Sequence, residues 1–286
     1  LDFSWAIDDH LLETTHILRG MELAIESRVE KFIWDIFGWS HPEIIYNGHF
    51  SIEGVKISKS KGAKEVKAGT FKGWNDPRTW SLQSLRDRGI RPEAIREFIL
   101  NMGLKKTSVK IPVSVLYSIN KRLIENSKRF FFLENPIEIR ISGSPPINAK
   151  IPFHPDGTKG YKEYKTGQEF LIQKSDLASM TDGNYRLMHL LNFKSDSTLR
   201  LKPRTFSFIS EKPETNLKVK FMQWLPLSEK NIPVRIMMPG GNYTEGLGEP
   251  ELRNISEWET IQFERIGFAK LYKKTKERLD FWFAHN

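Results

Sequence analysis

Cysteine is absent from all 286 residues, which excludes disulfides, thiolate metal sites and cysteine nucleophiles. No apolar run approaches the roughly 20 residues of a membrane-spanning helix, so no membrane partner is expected. A secretory leader is missing too. The chain opens LDFSWAIDDH, with neither a basic start nor an apolar stretch behind it. It has no initiator methionine and reads as a fragment or a processed product. Neither a Walker A loop nor a Gly-x-Gly-x-x-Gly pattern occurs. These absences are compatible with a cytoplasmic location.

What is present is a globular composition. Hydrophobic residues make up 39%, and 8 Trp with 19 Phe are enough for packed cores. The length suggests roughly two domains at about 150 residues each. Lys and Arg outnumber Asp and Glu by 44 to 35, a net charge of +9. A polyanion, nucleic acid first, is therefore the leading partner class.

The chain changes character near residue 130. Before it, the apolar spacing is helical. Ile25, Val29, Phe32, Ile33 and Ile36 form one face of a helix stopped by Gly38. The stretch IIYNGHFSIEG predicts a short hairpin around Asn47-Gly48. A helix is expected from Pro92, with Ile95, Phe98, Ile99 and Met102 on one face and Gly103 at its end. Another follows Pro112. After 130 the period becomes two. Ile137, Ile139 and Ile141 alternate with charged residues, as do Leu217, Val219 and Phe221, and Leu279, Phe281 and Phe283 recur at the same spacing. The turn signals SGSPP, HPDGTKG, TDGN and PGGN separate these runs. Many short strands with regular turns predict a sandwich or barrels.

Three blocks stand in a fixed order: AIDDHLLETTHILRG at 6–20, VKISKSK at 55–61, and GTFKGWNDPRTWSLQSLRDRGIRPEAIREF at 69–98. Together with NPIEIRI, NYRLM and IQFERIGFAKL further on, they resemble archaeal-type glutamyl-tRNA synthetases, the class I enzymes related to glutaminyl-tRNA synthetases. The most specific features are Trp74, Asp76, Pro77, Arg78 and the Leu-Arg-x-Arg-Gly run at 85–89. The resemblance implies a multidomain chain. It would comprise the C-terminal part of a Rossmann-type α/β catalytic domain over 1–64, an α-helical tRNA-stem-contact region over 65–128, and two ribosomal-protein-L25-like β-barrels over 129–286 that bind the anticodon.

The resemblance also implies roles. Lys56, Ile57, Ser58, Lys59 and Ser60 match the Lys-Met-Ser-Lys-Ser signature, with Ile in place of Met. Lys59, Lys56 and Ser58 would act in catalysis, and Ile57, Ser58 and Lys59 would contact ATP, which carries Mg²⁺. A lysine in such a loop meets the charge that builds on leaving pyrophosphate. Arg19 matches an amino-acid-binding position, and a guanidinium suits the carboxylate of glutamate. The alternative reading is that Arg19 only caps a helix end or pairs with Asp8 or Asp9. Arg129, Arg186, Gln262 and Arg265 match anticodon-contact positions of the glutaminyl enzymes, with Met188 where that family has a second arginine. Phe130, Phe131 and Phe132 are expected in a barrel core in preference to stacking on bases.

The family pattern often has a tyrosine where Leu1 stands and a glycine where Glu13 stands. His10 and His16 are six apart, a poor spacing for a shared ligand, so no protein-bound metal is expected. The other class I signature, His-x-Gly-His, is absent from the chain. The expected activity is therefore that of a glutamate–tRNA ligase acting on tRNA(Glu), and on tRNA(Gln) as a second candidate. This chain would supply the signature loop and RNA binding, without adenylation on its own. A glutaminyl-tRNA synthetase and a non-catalytic RNA-binding module remain the alternatives.

Overall fold

The computed structural model describes residues 2–55, 57–196, 204–214 and 216–286. Two compact units divide the chain: Leu1–Ser58 with Pro92–Asn120, and Lys59–Arg91 with Lys121–Asn286.

In the first unit, strands His16–Gly20 and Glu43–Asn47 run parallel, from His16 opposite Glu43 to Gly20 opposite Asn47. Parallel neighbours need a crossover, which helix Ala24–Phe37 supplies. Gly38 ends that helix at φ 66°, where its N–H caps the carbonyls of Asp35 and Trp34. The expected apolar face is not the buried one. Ile25, Phe32 and Ile36 are exposed, while Ser27, Glu30, Ile33 and Trp34 are buried. Two bonds fix this rotation. Trp34 Nε1 donates to the Ala6 carbonyl (2.9 Å), and Glu30 receives Arg19 (2.8 Å).

The hairpin at Asn47-Gly48 does not form. Glu43–Asn47 pairs with His16–Gly20, and Phe50–Ile52 pairs in parallel with Val109–Ile111. Gly48 serves close approach. Its N–H bonds the Lys105 carbonyl (2.6 Å), and a Cβ there would lie 2.4 Å from the Thr107 carbonyl. Helix Pro92–Met102 forms with Ala94 and Phe98 buried, and Gly103 follows at φ 63°.

The second unit holds two seven-stranded sheets. In each, the two edge strands are consecutive in sequence. Val219–Met222 and Leu225–Pro226 bound one sheet; Arg129–Phe130 and Phe132–Glu134 bound the other. One short segment thus carries both edges, and each sheet curls nearly into a barrel, which protects the edges. Phe130, Phe131 and Phe132 are all buried. Period-two alternation sends Phe130 and Phe132 into the core of the C-terminal sheet, and Phe131 with Leu133 into the other core. Between the cores lies a buried ion pair, Lys162 Nζ to Glu249 Oε2 at 2.8 Å. The alternation over 217–221 holds at Leu217 and Val219, half-buried between exposed lysines, and breaks at its last position. Phe221 is exposed and Met222 buried, because the 219–222 edge strand pairs with Gly183–Leu187 and turns Met222 inward.

Candidate functional site

Arg19 is the penultimate residue of its parallel strand. Its side chain is nearly buried, and Nη1 donates to Ser27 Oγ (3.0 Å) and Glu30 Oε2 (2.8 Å). The guanidinium also lies 5.5 Å from the Trp5 ring centroid. Its partner is therefore Glu30, not Asp8 or Asp9. Burial pushes the Glu30 carboxyl up, and the bond and charge of Arg19 only partly offset this. Sequence reading missed Glu30, which is eleven positions away on the next helix. His10 stacks on Trp39 (3.9 Å) and His16 lies 3.3 Å from Glu43, so the two histidines have separate partners.

Glu13 has φ 52°. This left-handed geometry is the one glycine adopts without penalty.

In the 56–60 run, Lys56 lies outside the described residues. Ile57 is exposed and Ser58 half-buried. Lys59 is exposed and opens helix Lys59–Lys67, whose first turn contains no acid. A lysine at a helix start, on the positive end of the helix dipole, is a favourable place for phosphate. The next block packs on that helix. Trp74 sits 3.2 Å from where a Cβ at Gly62 would be, so a larger residue would have to move it.

The specific residues of the third block hold structure. Buried Asp76 accepts from the backbone N–H groups of Lys72 and Arg78 (both 3.1 Å) and from Arg78 Nε and Nη2 (both 2.8 Å). Burial raises its carboxyl, yet the bonds from Arg78 and Lys72 outweigh burial and leave it below the usual range. Ser81 Oγ caps helix Leu82–Arg88 through the Ser84 N–H (3.0 Å). Buried Arg88 donates to the carbonyls of Phe283 (3.1 Å) and Ala284 (2.7 Å), which ties that helix to the last strand.

Two of the expected RNA contacts come together. Arg129 and Gln262 are register partners on neighbouring parallel strands, so their side chains leave the same face of the sheet. Arg129 Nε and Gln262 Oε1 are buried and have no partner among the described residues. The backbone beneath them is clamped by the ion pair. Lys162 Nζ donates to the Arg129 carbonyl (3.0 Å), and Glu249 Oε2 accepts from the Phe131 N–H (2.8 Å). Burial pushes the Glu249 carboxyl up against the pull of Lys162.

Arg265 lies in the turn after strand Thr260–Phe263, at φ 66°. Both of its terminal nitrogens bond Asp176, at 2.6 and 3.0 Å, and its side chain stays half exposed. It is not a free base-reading fork, and no local signal announced Asp176 as its partner. Arg186 sits apart from Arg129 and Gln262, on the other sheet. It is buried and bonds Asn192 Oδ1 (3.0 Å) and the Glu211 carbonyl (3.1 Å), and burial lowers its pKa. It lines a cavity of about 650 Å³ together with Met188, His189, Lys150 and Phe221. Exposed Phe221 offers a face on which a base can stack. Gln223 Nε2 donates to the Glu264 carbonyl (2.7 Å), which links this sheet to the Arg265 turn.

The chain matches two families in succession: "tRNA synthetases class I (E and Q), catalytic domain" over residues 1–126, and "tRNA synthetases class I (E and Q), anti-codon binding domain" over 127–202. Among curated proteins it is 36% identical to the glutamate–tRNA ligase of Pyrococcus abyssi, with 99% of this chain and 50% of the relative covered. It is 35% identical to that of Methanocaldococcus jannaschii, with 100% and 51% covered. The chain thus spans about half the length of these relatives.

Proposed function

The chain belongs to the class I tRNA synthetases of the E and Q type, and from that premise we propose that it is the anticodon-side portion of a glutamate–tRNA ligase. The observation that carries the reading is the Arg129–Gln262 pair, a donor and an acceptor without partners among the described residues, side by side on one sheet of a basic chain. Buried polar atoms without partners are costly, and the edge of an unpaired base supplies what both lack. Arg186, with Phe221 and its cavity, forms a second base site. Arg265 contributes by holding Asp176 or by exchanging it for RNA.

On the catalytic side, Lys59 with Ser58, Ile57 and Lys56 contacts ATP. Adenylation supplies glutamyl-adenylate, and Mg²⁺ arrives with the nucleotide. Lys59 meets the negative charge that grows on the leaving pyrophosphate, and the helix start behind it adds partial positive charge. Arg19 receives the side chain of glutamate. The functional division follows residues 1–64, 65–128 and 129–286, with a Rossmann-type catalytic part and L25-like barrels. tRNA(Glu) is the RNA substrate, tRNA(Gln) is a second one to be assayed, and the enzyme works in the cytoplasm.

The test is amino-acid-dependent ATP–pyrophosphate exchange by the full-length enzyme. Exchange with glutamate and little with glutamine supports the reading. Exchange with glutamine alone would make the protein a glutaminyl enzyme, and none with either would leave an RNA-binding module.

A further inference from the structure

We infer that Glu30 positions Arg19 toward the side chain of the amino acid and sets how strongly that site prefers a carboxylate over an amide. The inference rests on the reading of Arg19 as the amino-acid receptor.

The geometry is one-sided. Both bonds of the guanidinium leave from Nη1, to Ser27 Oγ and Glu30 Oε2. No described residue takes a bond from Nε or Nη2. Ser27 is itself fixed, because its hydroxyl donates to the Leu23 carbonyl (3.1 Å). The Trp5 ring lies against the guanidinium. Ser27 and Glu30 are both fully buried on helix Ala24–Phe37, so the clamp cannot swing into solvent. Arg19 is held by one nitrogen with its other edge unclaimed, next to the carboxyl end of a parallel strand. That end is where open α/β sheets place ligands.

The clamp is also a charge. Glu30 Oε2 meets Arg19, whereas Glu30 Oε1 is buried without a described partner. Asp9 and Asp2 add to the negative field around the carboxylate. A ligand carboxylate approaching Arg19 is attracted by the guanidinium and repelled by Glu30. A ligand amide feels neither charge strongly, but can still accept a hydrogen bond through its oxygen. An ionised Glu30 therefore narrows the gap between glutamate and glutamine, while holding in place the group that binds both.

The two effects separate by substitution. Glu30→Gln keeps an oxygen for Nη1 and removes the charge. Glu30→Ala removes the clamp. Both are assayed in the full-length ligase by pyrophosphate exchange, with kcat and KM for glutamate, glutamine and ATP. Glu30→Gln is expected to raise the glutamate-over-glutamine ratio of kcat/KM by about tenfold, a change worth about 1.4 kcal/mol. Glu30→Ala is expected to raise the KM for glutamate about tenfold or more while leaving the KM for ATP unchanged. The opposite direction of the two variants is the signature, because a merely structural Glu30 would move ATP and glutamate parameters together in both. Arg19→Ala serves as the control. If it leaves the KM for glutamate unchanged, the receptor reading and this inference both fall. If it raises that KM, while Glu30→Gln leaves the selectivity ratio within about twofold and Glu30→Ala leaves the KM for glutamate unmoved, the role of Glu30 alone is overturned.

Discussion

The two units differ in how completely each satisfies itself. The barrel unit carries two large aromatic cores, brings its edge strands together and places an ion pair between the cores. In the first unit, the core around the crossover helix is Ala6, Ile17, Ile33 and Trp34, beneath a sheet of two parallel strands. Its long helix exposes Ile25, Phe32 and Ile36. Parallel sheets are ordinarily covered on both faces. Local stability should therefore be concentrated in the two seven-stranded sheets of the second unit, and the chemistry of Arg19, in the first unit, should depend on a part that tolerates less change.

The largest expected effect lies at the joint between the barrels. Glu249→Ala leaves the Lys162 charge buried without its counter-ion and the Phe131 N–H without its acceptor. Breaking a buried pair in this way costs about 3–5 kcal/mol. Chemical denaturation followed by the fluorescence of buried Trp224 should show that loss, and Lys162→Met added to Glu249→Gln should recover most of it. A single-variant loss below about 1 kcal/mol would mean that water reaches the pair.

Next comes Lys59. In the full-length enzyme Lys59→Ala should slow adenylation about a hundredfold, equivalent to about 2.7 kcal/mol, with tRNA affinity nearly unchanged. A rate within threefold of the parent would remove Lys59 from the catalytic account.

A smaller effect concerns pH. Burial depresses the pKa of His189 and His285, both in the barrel unit. Below the unperturbed value of about 6.5 the unfolded chain binds protons that the folded chain resists. Stability is present above that pH and is lost as pH falls toward the folded values. Between pH 7.5 and 5.5 the melting temperature should fall by about 2–4 °C for each kcal/mol lost. Replacing both histidines with glutamine should flatten the curve.

The smallest is Glu13→Gly. The left-handed backbone at Glu13 costs about 1–2 kcal/mol for a residue with a Cβ, partly offset by the greater unfolded-state freedom of glycine. A gain of up to about 1 kcal/mol in thermal unfolding is expected. A clear loss would show that the Glu13 side chain makes a needed contact.

Much of the molecule was legible in the sequence. Gly38 and Gly103 end their helices as read, the long succession of strands begins at Arg129, and the phenylalanine run enters cores. The motif blocks identified the family. What escaped depends on partners distant in the chain. Asn47-Gly48 has the composition of a hairpin, but its glycine answers to the Thr107 carbonyl. The stripe through Ile25 and Phe32 has the period of a buried face, but Glu30 and Trp34 turn the helix away from it. Arg19 and Arg265 were selected by motif, whereas their carboxylates, Glu30 and Asp176, carry no local mark. The pairing of Arg129 with Gln262 emerged only from strand register.

The most direct measurement is a double-mutant cycle for tRNA affinity in the full-length enzyme at fixed salt. It combines Arg129→Ala or Gln262→Ala with substitutions at each anticodon base of tRNA(Glu). Each single protein change should cost about 1–3 kcal/mol with the cognate anticodon and little once the contacted base is replaced. At least one base should couple to this pair, while Lys59→Ala couples to none. If no anticodon base couples to Arg129 or Gln262 by more than about 0.5 kcal/mol, the usual limit of additivity, then the barrels do not read the anticodon through this pair and the account is contradicted.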